Sequence, residues 1–392
     1  MSEKKSENGC RPLRVAGMFA GIGGIELGLH RAGHETKLFC EVDRAATAVL
    51  KTRMPGPSFV EDIRDVANLP RGIDLLTAGF PCQDLSQAGL TKGMSGKQSS
   101  LVLHVFRLLE RTQVPWVLLE NVPFMLQLGR GEALEHVLSE LERLGYVWAY
   151  RVVDSRAFGL PQRRQRVFIL ASRVGDPRNV LLADDRGDPG RTDRSLGRPN
   201  GFYWTEGLRG LGWADDAVPT LKGGSTIGIP SPPAILLPNG EIVKPDIRDA
   251  ERLQGFPADW TKPAEQVARP GYRWKLVGNA VTVDVAAWIG DRLSRPGSFE
   301  PGLSVPLHRI GKWPDTAWNV GQGRFLSHCS HWPVRSKMRG LAKFLKYPVH
   351  PLSSRAVTGF YKRISNSSLR FPPGFKQAVR DYADRAKSRA TA

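Results

Sequence analysis

From Arg14 to Ser172 short apolar runs alternate with stretches of helical period. Arg14–Phe19, Lys37–Glu41, Ile73–Ala78, Trp116–Glu120, Val147–Val153 and Val167–Ala171 are short and apolar, and they predict strands. Gly24–Arg31 predicts a helix. Val102, Val105, Phe106 and Leu109 recur at i, i+3, i+4, i+7, as do Leu134, Val137, Leu138 and Leu141, a spacing that lines side chains along one helix face. Strands alternating with helices predict an α/β fold with a doubly wound sheet, whose ligands bind at the carboxyl ends of the strands. The pattern fails from Arg173 to about Val243, where Gly, Pro, Asp and Arg dominate, and a small loop-rich domain with β-structure as an option is expected there. Val281, Val285, Trp288 and Ile289 then share one face of Ala280–Leu293, which predicts a helix returning to the α/β core.

Charge changes this picture. The 392 residues hold 56 Lys and Arg against 38 Asp and Glu, a formal charge of +18, which points to a polyanionic partner. After residue 300 there are 17 Lys and Arg against Asp315, Asp381 and Asp384, so +14 of the excess belongs to the last 92 residues. Trp313, Trp318, Phe325, Trp332, Phe344, Phe360, Phe371 and Phe375 interleave with those charges, which favours a folded basic module adding DNA contact over a disordered arm. No run approaches the roughly 18 apolar residues of a membrane helix and Met1–Arg14 has no apolar signal core, so the expected location is the cytoplasm. Cys10, Cys40, Cys82 and Cys329 lie far apart without a CxxC pair, against a zinc ribbon.

Four places carry candidate chemistry. Phe19-Ala-Gly-Ile-Gly-Gly24 sits between a strand and a helix, where glycines let a ligand approach the main chain. Glu41 ends the next strand about 20 residues after the first glycine, the offset at which a carboxylate meets ribose hydroxyls. Neither GxGxxG nor a P-loop is present, which favours an adenosine ligand without a phosphate chain. Gly79-Phe-Pro-Cys82-Gln83 follows a strand, and a Cys there is placed as an exposed nucleophile, whereas Cys10, Cys40 and Cys329 read as small hydrophobes. Glu120 ends another strand on the same rim. In Gln162-Arg-Arg-Gln-Arg166, alternation puts Arg164 and Arg166 on one face and Arg163 on the other.

In order along the chain, Phe19–Gly24, Gly79–Gly89 (GFPCQDLSQAG), Glu120–Val122, Gly159–Phe168 (GLPQRRQRVF), Arg252–Pro257 (RLQGFP) and Gly278–Val281 (GNAV) resemble the motifs of the C5-cytosine DNA methyltransferases, over about Leu13–Leu293. The resemblance implies a Rossmann-like methyltransferase sheet with a small target-recognition domain, and S-adenosylmethionine as cofactor, released as S-adenosylhomocysteine, without a metal. It implies Cys82 as the nucleophile on C6, Glu120 at the N3/N4 edge of the base, and Arg166, supported by Arg164, at O2. For the cofactor it implies Phe19, Ala20, Gly21, Gly23 and Gly24 as the cradle, Glu41 at the ribose, Val42 on the adenine, and Asp62 and Ile63 at the adenine edge. Pro81, Leu101, Asn279 and Val281 complete that set. Gln83, Ser86, Lys92 and Lys97 on the loop after Cys82, and Thr220, are implied to contact double-stranded DNA. Where the family's loop often ends in Arg, this chain has Lys97-Gln-Ser-Ser100, so that phosphate contact is moved to Lys97 or weakened.

The expected organisation is a catalytic domain at 11–172, target recognition at 173–250, a return to the catalytic domain at 251–297 and the basic module at 301–392. The expected activity is methylation of a flipped-out cytosine in a short duplex sequence by a monomer serving restriction-modification or phage defence. An RNA C5-cytosine methyltransferase and a catalytically silent DNA-binding relative are the alternatives.

Overall fold

The computed structural model describes residues 11–81, 101–190, 195–208, 210–224, 231–308 and 311–391. The chain divides into two compact units. One comprises 1–157, 165–188 and 281–335, the other 158–164, 189–280 and 336–392. The basic last 92 residues are therefore shared between the units, 301–335 with the first and 336–392 with the second.

The first unit is built on one sheet. Its parallel half holds β3 (Ser58–Val60), β2 (Glu35–Cys40), β1 (Arg14–Met18), β4 (Leu75–Ala78) and β5 (Trp116–Asn121), in that spatial order. Beyond β5 the strands run antiparallel to their neighbours: β8 (Gln165–Ser172), β6 (Val147–Asp154), β15 (Thr316–Asn319), β16 (Arg324–Leu326) and β14 (Val305–Pro306). Four of the five residues of β1 and all of β4 are buried, as expected of strands covered on both faces, which is why they read as continuous apolar runs. Helices α1 (Gly24–Arg31), α2 (Arg44–Arg53), α3 (Leu101–Thr112), α4 (Glu132–Arg143) and α7 (Val283–Ser294) belong to this unit. The two predicted faces, Val102/Val105/Phe106/Leu109 on α3 and Leu134/Val137/Leu138/Leu141 on α4, lie in its main core.

Helix α7 starts later than its periodicity suggests. Ala280 is extended (φ −65°, ψ 150°) and Thr282 holds the N-cap position, its Oγ1 2.7 Å from Ser155 Oγ in the interior. Strand order reverses between β1 and β4, the switch point beside which α/β sheets bind their ligands.

The second unit answers the loop-rich expectation with short strands. An antiparallel sheet runs β10 (Ala214–Asp215), β9 (Asn200–Phe202), β12 (Ala234–Leu236), β13 (Ile242–Lys244) and β17 (His350–Pro351), and β7 (Gln162–Arg163) pairs in parallel with β11 (Val218–Pro219). Helices α5 (Ile247–Leu253), α6 (Arg273–Asn279), α8 (Ser354–Ser365) and α9 (Phe375–Thr391) complete it. Phe202, Trp213, Leu236 and Ile242 share one core with Val357, Phe360, Phe375 and Tyr382. Among the described residues no helix is long and apolar enough to cross a membrane.

Candidate active site

The turn after β1 is held in an uncommon backbone shape. Phe19, Gly21 and Gly23 have φ of 54°, 56° and 81°. Glycine adopts such angles freely, but Phe19 does so at a cost of about 1–3 kcal/mol, strain of the kind that collects at ligand sites. Ala20 N–H donates to Cys40 O at 3.2 Å and Gly23 N–H to Ala20 O at 2.9 Å, fixing the turn over the end of β2. At Gly24 the need is for space, since a Cβ there would stand 2.4 Å from Val281 O.

Glu41, just past β2, is buried, and its two oxygens accept Gly21 N–H at 2.7 Å and Asp43 N–H at 2.8 Å. Burial raises its carboxyl above the usual range, although those N–H groups pull the other way. Each oxygen keeps a lone pair for a further donor such as a ribose hydroxyl. Val42 beside it is 69% exposed, an apolar surface ready for a planar ring, and a Cβ on Gly21 would meet nothing within 4 Å. This is a cradle that fits an adenosine group.

Asp62 is more committed than its motif suggested. It accepts Arg64 N–H at 2.9 Å and forms an ion pair with the Arg64 guanidinium at 2.5 Å, which holds its carboxyl down at about 2. Ile63 is buried in the core beneath, and Leu101, half-buried, opens α3.

The second cluster spans the ends of β4, β5 and β8. Because β8 runs antiparallel to β5, its first residues meet the carboxyl end of β5, and Arg166 Nε stands 3.0 Å from Glu120 Oε1. Arg166 Nη1–H also donates to Gln165 O at 2.7 Å. Glu120 is 8% exposed, so its charge is held by a partner rather than by bulk water. A Cβ on Gly79 would lie 3.3 Å from Glu120 Oε2, and Asn121 Nδ2–H donates to Phe80 O at 3.1 Å. The loop after β4 is thus pinned to Glu120-Asn121 as far as the exposed Pro81. Cys82, Gln83, Ser86, Lys92 and Lys97 lie outside the described residues. Asn121 is a structural tie outside the set of expected site residues, and its place directly after Glu120 at a strand end is the signal that marks it.

Within the second unit Arg164 is 1% exposed and donates to three carbonyls, Leu221 O at 3.0 Å, Gly278 O at 3.1 Å and Ala280 O. Its guanidinium fixes the backbone on either side of Asn279 and next to Thr220. Thr220 Oγ1–H donates to Arg163 O at 2.8 Å, and Tyr203 Oη–H donates to Thr220 O at 2.8 Å.

The chain is similar to known proteins over nearly all of its length. Residues 13–189 match the family model described as C-5 cytosine-specific DNA methylase. The chain is 45% identical to the type II methyltransferase M2.BsuMI of Bacillus subtilis (strain 168), over 95% of this chain and 99% of that protein. It is 30% identical to the type II methyltransferase M.NlaX of Neisseria lactamica, over 72% of this chain and 96% of the relative. The crystal structure of the S. pombe Dnmt2 methyltransferase is similar in fold, with a TM-score of 0.52 and 17% identity over 72% of this chain and 98% of that one.

Proposed function

The chain belongs to the C-5 cytosine-specific DNA methylase family and is a DNA (cytosine-5)-methyltransferase, and from that premise we propose that it modifies cytosine in a short duplex sequence through a covalent adduct between Cys82 and C6. The type II relatives favour a modification enzyme of a restriction-modification or phage-defence system. The observation that carries the mechanism is the Glu120–Arg166 pair, joined through Gly79 and Asn121 to the loop leading to Cys82.

C6 of a stacked cytosine is out of reach, so the base must leave the helix before reaction. The Cys82 thiolate then forms an S–C6 bond, and the electron pair of the C5–C6 double bond moves into the ring. Glu120 accepts N4–H and, carrying a proton, donates it to N3, which neutralises that charge, while Arg166 holds Glu120 and addresses O2. When bound, S-adenosylmethionine supplies an electrophilic methyl on its sulfonium; Phe19, Gly21, Glu41, Val42, Asp62, Leu101 and Val281 would hold it. Loss of the C5 proton to water and departure of the Cys82 sulfur restore the aromatic ring. Arg164 is a positioning residue, acting through the carbonyls it binds, and Thr220 meets the DNA backbone.

Incubation of the protein with tritiated S-adenosylmethionine and duplex DNA tests this reading. The expected product is 5-methylcytosine, abolished by Cys82→Ser; transfer undiminished by that change sinks the mechanism.

A further inference from the structure

We propose that α8 (Ser354–Ser365) is a second DNA-backbone contact, integral to the fold of the second unit and held in register with Thr220 by Arg363. The inference rests on the reading of the chain as a DNA methyltransferase and adds a surface to it.

From Thr316 to Arg380 the chain contains no Asp or Glu, yet it carries twelve Lys and Arg. Helix α8 lies within that stretch. One face, Val357, Phe360 and Ile364, is buried, with the Phe360 ring stacked 5.2 Å from Phe202. Arg355 and Lys362, seven residues and two turns apart, share a different, exposed side, and exposed Arg370 follows the helix. Between them Gly359 presents almost bare backbone, since a Cβ there would meet only Arg363 Nη1 at 3.6 Å. A cationic stripe with a bare centre, on a segment that carries no Asp or Glu of its own, suits the close approach of a sugar-phosphate strand.

The neighbouring helix supplies the contrast. On α9, Arg385 and Arg389 pair with Glu241, and Asp381 and Asp384 lie among the basic residues. That surface is partly compensated, whereas among the described residues no carboxylate pairs with Arg355, Lys362 or Arg370.

Register comes from Arg363. Its Nε–H donates to Glu206 O at 2.9 Å and its Nη2–H to Trp204 O at 2.7 Å, binding α8 to the loop 203–207. That loop packs so closely that a Cβ on Gly207 would stand 2.9 Å from Ile364 Cγ2. Tyr203, at its start, bonds Thr220 O, and Lys222 Nζ lies 3.8 Å from the Tyr203 ring centre. The stripe is thus fixed, through one short loop, to the strand end that carries Thr220.

The test measures duplex binding of the full-length protein against salt, on target and random sequence, for the triple variant Arg355→Gln/Lys362→Gln/Arg370→Gln. Each lost phosphate contact flattens the slope of log K against log salt by about 0.9, so a decrease of about 2 to 3 is expected, equal on both DNAs. Methyl transfer at saturating DNA stays at the wild-type rate. Arg385→Gln/Arg389→Gln, which share the single Glu241 carboxylate and so leave one net charge, keeps the slope within about 1 of wild type by the same arithmetic. A triple variant with the wild-type slope, in a protein that still methylates DNA, overturns the proposal alone. A slope that flattens on structured RNA but not on duplex DNA overturns it in favour of an RNA contact. Wild-type protein that neither binds nor methylates duplex DNA overturns the functional reading, and this inference with it.

Discussion

On α1, directly behind the glycine turn, Glu26 is 1% exposed; its Oε1 accepts Thr77 Oγ1–H at 2.8 Å, and its Oε2 has no hydrogen-bond partner among the described residues. Burial pushes its carboxyl up to about 7. The folded chain therefore holds this proton more tightly than the unfolded chain does. The stabilising contribution is complete below the ordinary glutamate range and is lost as pH rises through about 7. Glu26→Gln keeps an acceptor for Thr77 and removes the titration, so it should stabilise the protein by about 1–3 kcal/mol at pH 8 and little at pH 5. Denaturant unfolding at the two pH values checks this; an equal effect at both contradicts it. The available signal was spacing, since Glu26 follows Ile22 of the preceding turn by four residues and precedes Leu29 of its own helix by three, both of them buried. Glu120 and Arg166 were legible because both sit at strand ends. Glu120→Gln should fold normally and lower kcat by about 10²–10⁴-fold, measured by single-turnover methylation at saturating DNA.

Among elements, the long strands and amphipathic helices of the first unit could be read from their periods, but the meeting of α1 with α7 could not. It depends on two glycines: Gly24, whose Cβ would stand 2.4 Å from Val281 O, and Gly28, whose Cβ would stand 2.5 Å from Ala286 Cβ. Gly24→Ala must push the Val281 backbone aside, so thermal unfolding should show a loss of about 1–3 kcal/mol. Calorimetry should show weaker S-adenosylmethionine binding, because the same turn carries Gly21 and Gly23. The small sheet was illegible for another reason. Its strands are two or three residues long, too short to display alternation, and Val243 finds its partner at Pro351, more than a hundred residues away.

For the whole molecule, the motif order revealed the family, while the charge arithmetic pointed to a separate basic module. The structure divides that stretch because Val357, Phe360, Phe375 and Tyr382 are needed to bury Phe202, Trp213 and Ile242, and a basic surface does not reveal an apolar underside. Stopping the chain after Arg335 should therefore expose residues 195–280 to rapid hydrogen exchange and proteolysis, beyond any loss of DNA affinity. Protection equal to that of the full chain contradicts this arrangement. The most direct measurement of the central claim is nucleoside mass spectrometry with bisulfite sequencing of DNA from cells expressing the wild-type chain or Cys82→Ser. The account predicts 5-methylcytosine at one short recurring sequence with the wild-type chain and none with the variant. Methylation that persists in the variant, or that appears only in RNA, contradicts it.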